Sequence, residues 1–260
     1  MKTTIVKVLP IVVGVALGWL LMAAPEWLRD LGPWRFPLVG AGVLVLLVGF
    51  VAMTIASNLP ADIALEPLPG ADVGPLDALL HGYESVGFER AGTPLRAGVS
   101  PPALLVPLVH RDGRSYATVF RTDTVPAKTS FDVVSILEGG RGGLTTSPTA
   151  AGTTLPAAPG ELRQVFRDAP PATLAERHAE AVSYLERRGL PLKRVSAQAF
   201  AADFKAAIAA QRANFLAHPL RASAVAIWRS ATHLTPHLGG IASQPFAQRQ
   251  IERLLTGRRS

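Results

Sequence analysis

ALLVPLVHRDGRSYATVFRT, from Ala103 to Thr122, decides the fold. Ala103 to His110 is a run of apolar and β-favouring residues. Ser115 to Thr122 sets Tyr116, Thr118 and Phe120 on one side and Ala117 and Val119 on the other. Strict alternation is the signature of a strand, because successive side chains point to opposite faces. Between the two runs, Arg111-Asp112-Gly113-Arg114 is a turn, since Asp-Gly accepts the positive φ that a tight reversal requires.

Working outward, Phe131 to Glu138 reads as a third strand, Gly139 to Gly143 as its turn and Leu144 to Ser147 as the return. Leu162 to Arg167 reads as a last strand after a Pro/Ala/Thr/Gly loop. Asp77 to Val86 precedes these strands with helical spacing of Leu76, Leu79, Leu80 and Tyr83. After them the pattern is helical. Thr173 and Glu176 fit a capping box, Leu174, Ala181, Val182 and Leu185 share a face, and Gly189 stops the helix. A second helix opens near Ser196, with Phe200, Phe204, Ile208 and Phe215 as its stripe, and His218-Pro219 ends it. Ala222 to Ser230 and a basic segment, Gln244 to Thr256, are further helices. Strands followed by helices predict an α+β domain, an antiparallel sheet packed with C-terminal helices. No repeat of 20–50 residues is visible.

The N-terminal side is different. Val8 to Ala24 and Phe36 to Ala56 carry no charge. A helix rises about 1.5 Å per residue, so roughly 20 residues cross a hydrocarbon core of about 30 Å. Pro25 to Arg35 holds two Trp, two Pro and four charges, which suits a turn among lipid headgroups, with Trp27 and Trp34 at the interface. The expectation is a two-helix transmembrane hairpin. A cleaved signal peptide is the rival, but no clean small-x-small site precedes a workable cut. Gly14 and Gly18 in the first span, and Gly40, Gly42 and Gly49 in the second, are candidates for close helix packing. Equally, glycine is common in membrane helices. No ionisable residue lies inside either span, so the marks of a proton relay or ion path are missing there. Exporting only the short loop places both chain ends in the cytoplasm, at the inner membrane. The organisation expected is residues 1–56 hairpin, 57–75 linker rich in Pro and Gly, 76–235 α+β domain and 236–260 basic C-terminal tail or helix.

Composition narrows the chemistry. The 260 residues include 26 Lys plus Arg against 19 Asp plus Glu, and no cysteine. That excludes disulfides, thiolate metal sites and a cysteine nucleophile. From Ser57 onward there are 22 basic and 17 acidic residues, a balance of +5. The basic residues are spread without an aromatic-basic signature or a helix-turn-helix, so nucleic acid is not the expected partner. Arg249, Arg253, Arg258 and Arg259 cluster at the C-terminus, where anionic headgroups or plain solvation both account for them. There is no G-x-S-x-G, no Walker A and no HExxH. His233 and His237 are four apart, but Pro236 breaks a helix that would align them. No metal and no cofactor is expected. The glycine run at 139–143 has the amides of an anion nest, yet its flanks read as paired strands, which favours a turn.

Gly87-Phe88, Asp112-Gly113-Arg114-Ser115-Tyr116-Ala117, Ser130-Phe131, Leu144-Thr145-Thr146 and the helix bearing His178 together resemble a group of uncharacterised bacterial membrane-anchored α+β proteins, over about Gly82 to Leu185. The resemblance implies the fold and no activity. The function expected is a non-catalytic accessory or scaffold subunit, bound to membrane lipids and to other subunits of a membrane complex. The alternatives are a membrane-bound enzyme with its site in the sheet–helix cleft, and a lipid-surface or sensor protein using the basic C-terminus.

Overall fold

A computed structural model of the chain describes residues 32–58, 61–99, 101–140, 142–149, 155–232 and 237–257. The chain divides into two compact units, 1–55 and 56–260. In the first, a single 3₁₀ turn at Gly32–Trp34 leads into helix α1 (Arg35–Asn58). This helix is long and apolar enough to cross a membrane. Leu44, Val45, Leu46, Phe50 and Met53 are exposed among the described residues, and the helix has no polar face. The first predicted span lies outside the described residues, as do Gly14, Gly18 and Trp27.

The second unit is α+β. Among the described residues its sheet has eight strands: β1 (Leu65–Pro67), β2 (Phe88–Arg90), β3 (Leu95–Ala97), β4 (Ala103–His110), β5 (Tyr116–Thr122), β6 (Thr129–Ile136), β7 (Gly143–Ser147) and β8 (Glu161–Val165). The order is β1-β3-β4-β5-β6-β7-β8, with β2 also on β4. All pairs are antiparallel except β7–β8, which is parallel, so the expected antiparallel sheet is in fact mixed. Residues 148–160 join β7 to β8, and a connection of about a dozen residues is what parallel pairing needs, since a tight hairpin cannot join parallel strands. The stretch read as a linker contributes β1, and Ile63 just before it is buried.

Both faces of β4 are covered, which its unbroken apolar run anticipates. Pro107 sits in the middle of this strand. Its carbonyl accepts from Ala91, so its nitrogen points to the side where β3 pairs residues 103–105 and β2 pairs 108–110. The proline falls in the gap between the two partners, where no ladder donor is needed.

One sheet face, with Val106, Leu108, Ala117, Val119 and Val133, packs on Leu76, Leu80 and Tyr83 around α2 (Asp77–Glu84) and on Leu174 of α3 (Pro171–Arg187). The opposite face, with Leu105 and Tyr116, packs on Val195 and Phe200, where α4 (Phe200–Ala217) begins. α5 (Pro219–Thr232) follows after His218, and α6 (Pro245–Thr256) closes the end of the sheet through Ala247 and Ile251.

The capping box at Thr173–Glu176 does not form. Helix α3 starts two residues earlier, at Pro171, without a side-chain cap. Proline presets the helical φ and has no amide to satisfy, so the first turn needs no hydroxyl there. Gly189 does end the helix, at φ 81°, with Leu190 N donating to Leu185 O.

Candidate functional site

Ser135 shares a face of β6 with Val133, two residues earlier, and that face packs on α3. His178 lies on the same stripe of α3 as Leu174, Ala181 and Leu185. Two polar residues on two apolar faces therefore meet in the seam. His178 is 1% exposed. Its Nε2 is 2.8 Å from Ser135 Oγ and its Nδ1 is 2.7 Å from Thr146 Oγ1. Ser135 Oγ is also 2.9 Å from Ser115 Oγ and 2.8 Å from the Arg114 carbonyl. Gln164 Nε2 donates to Thr146 Oγ1 at 2.7 Å and to the Arg177 carbonyl at 3.2 Å, and its Oε1 accepts from Ile241 N at 3.3 Å.

These contacts admit one proton order in which every group is satisfied. The Arg114 carbonyl only accepts, so the single Ser135 proton goes to it. Ser135 then accepts from Ser115 and from His178 Nε2–H. The free Nδ1 lone pair accepts from Thr146, which accepts in turn from Gln164. The ring is neutral. Burial is the main reason its pKa is pushed down to about 3. The attraction of Asp112 opposes this and the charge of His110 adds to it. In this order Ser135 accepts a hydrogen bond from histidine. A serine nucleophile needs the reverse, with the hydroxyl donating to a base. The pair resembles half of a hydrolase triad by composition and is a structural bolt by hydrogen-bond direction.

Above the bolt is a cleft of ≈ 280 Å³. Val86, Phe88, Val133, Ala175 and Val182 give it apolar walls, Asp112, Arg114 and Glu176 give it charge, and the His110 imidazole lines it as well. His110 Nε2 donates to the Val86 carbonyl at 3.2 Å, and its Nδ1 lies 2.8 Å from Asp112 Oδ1. Burial acts to raise the Asp112 carboxyl. The hydrogen bond from His110, the Arg114 amide and the charges of both neighbours outweigh it and hold the pKa below the ordinary value.

On the other sheet face Tyr116 Oη donates to Asp203 Oδ2 at 2.9 Å and to the Ser196 carbonyl at 3.1 Å, and Lys193 Nζ reaches Asp203 Oδ1 at 2.5 Å. Burial, then Asp203, raises the Tyr116 hydroxyl well above its usual pKa. Asp132, bonded by Thr118 Oγ1, is pushed up to about 6 by burial against that bond. Each of these clusters pins a strand to its neighbour or to α4.

The residues singled out by the sequence are dispersed. Trp34 is 72% exposed at the start of α1, and a Cβ added at Gly40, Gly42 or Gly49 meets nothing within 4 Å. Arg249 and Arg253 are exposed on α6, and Arg258 and Arg259 lie outside the described residues. His233 is also outside them. His237 is buried edge-on to Phe246, and its pKa is pushed down to about 4, chiefly by burial. Among the described residues no three His, Asp or Glu gather as a metal would require. The glycine run is a hairpin turn. A Cβ at Gly142, where φ is 123°, would stand 2.2 Å from the Gly160 carbonyl oxygen.

Sequence reasoning missed the Ser115–Ser135–His178–Thr146–Gln164 chain. The available signal was a histidine inside an apolar helical stripe and a serine inside an apolar strand face. No protein-family model, curated protein or solved structure matches the chain.

Proposed function

We propose that this is a membrane-anchored, non-catalytic accessory subunit that docks onto a larger membrane assembly and stabilises it. One observation carries the reading: the serine–histidine pair best placed for catalysis is saturated by protein groups and ordered in the unreactive direction. The apolar α1 adds the anchor, since a helix without a polar face finds its solvent in lipid. In the full reading 1–56 forms a two-span hairpin in the inner membrane, both chain ends are cytoplasmic, and the partners are lipids and other subunits.

Native membranes test this. The chain should resist carbonate extraction and migrate with other polypeptides after mild solubilisation. Migration solely as a free monomer would count against it. The alternative, an enzyme working in the cleft, draws on the convergence of His110, Asp112, Arg114 and Glu176 there. It predicts that Asp112→Asn abolishes a turnover while leaving assembly unchanged.

A further inference from the structure

From Phe204 to Ile251 the chain has no Asp or Glu, yet it holds Lys205, Arg212, Arg221, Arg229 and Arg249; Lys205 pairs with Asp62 and Arg229 donates to the Leu155 carbonyl. Such a run of one sign is absent from the rest of the second unit. α5 lies inside it. Ala222, Ser223 and Ala226 are its buried side. The opposite side carries Leu220, Ala224 and Trp228, spaced by four and so aligned along one ridge, with Arg221 exposed beside them. Leu220 is 57% and Trp228 62% exposed. Leu216, at the end of α4, is also exposed, but the break at His218 separates it from this ridge. The outward face of this helix is thus apolar, where a solvated helix carries charge.

We infer that the Leu220–Ala224–Trp228 ridge docks onto the anionic surface of a lipid bilayer. Indole and leucine suit the boundary between headgroup and acyl chain, and arginine beside them suits anionic headgroups. The charge argument selects lipid over a protein partner. α5 itself carries Arg221 and Arg229 and no Asp or Glu, which matches a uniformly negative plane, whereas a protein surface presents both signs. Docking rests on the membrane reading of α1 only for the presence of a bilayer.

The chain has no native cysteine, so Ala224→Cys accepts one thiol-reactive environment-sensitive fluorophore in the full-length protein. The labelled chain is reconstituted into vesicles of phosphatidylcholine alone or with phosphatidylserine, and flotation reports incorporation. Docking predicts blue-shifted emission with phosphatidylserine, quenching by spin-labelled lipid, and reversal by high salt. Arg221→Gln should lower the docked-to-undocked ratio about fivefold, the effect of losing one basic group near an anionic surface. Leu220→Ser with Trp228→Ser should abolish the quenching while flotation persists. A chain that floats with an unquenched label overturns docking and leaves the anchor standing. A chain that does not float overturns both. A blue shift that appears only in native membranes, and not in phosphatidylserine vesicles, assigns the ridge to a protein partner and overturns the lipid assignment.

Discussion

His178 makes the folded state sensitive to acid. Its pKa is near 3 in the fold and near 6.5 in an unfolded chain, so below pH 6.5 the unfolded state binds the proton and the folded state refuses it. The stabilisation is complete above pH 6.5 and is lost as pH falls toward 3, by about 1.4 kcal/mol per unit. Denaturant titrations at pH 7 and pH 5 should differ by about 2 kcal/mol from this residue. His178→Gln keeps one donor and one acceptor in the seam. It should cost about 1–3 kcal/mol at pH 7 and remove that share of the acid slope, and an unchanged slope would refute the assignment. Asp132 acts in the opposite sense. Its pKa, raised to about 6 from an unfolded value near 3.9, costs stability as pH rises through that interval. Asp132→Asn should stabilise the protein by about 1–2 kcal/mol at pH 8 and have no effect near pH 4, as read from thermal melts at the two pH values.

At the scale of elements, the β6–β7 hairpin depends on a close approach of two backbones. Gly142 faces the Gly160 carbonyl with no room for a methyl group, and its φ of 123° disfavours any side chain. Gly142→Ala should destabilise by about 3 kcal/mol, measured by urea unfolding. Gly140→Ala, with open space around it, should cost only the backbone strain of its φ of 67°. The glycine run could be read from the sequence as a turn. Which glycine is irreplaceable could not, because Gly160 lies on a different strand connection. The Pro107 position follows the same logic. Sequence rules push proline out of central strands, and only the split pairing of β4 with β2 and β3 explains its tolerance.

For the whole molecule, the C-terminal helix contributes to the core. Ile251 and Ala247 complete a cluster with Leu137, Leu144, Leu162 and Leu185, and Gln250 Oε1 accepts from Gly160 N. Deleting 244–260 should therefore cost several kcal/mol and broaden the melting transition, since a cluster loses buried side chains of roughly 2–5 kcal/mol each when they are truncated. A deletion that leaves the melt unchanged would show the helix to be dispensable. Apolar runs and alternation were enough to place α1, the β4–β5 hairpin, β6 and the helices α3 to α6, because burial is imposed on each of these segments locally. Strand order, the parallel β7–β8 pair, the recruitment of 65–67 into the sheet and the histidine bolt were decided by tertiary structure. Each depends on residues far apart in the chain meeting across a face, and periodicity records that a face is buried without recording what lies against it.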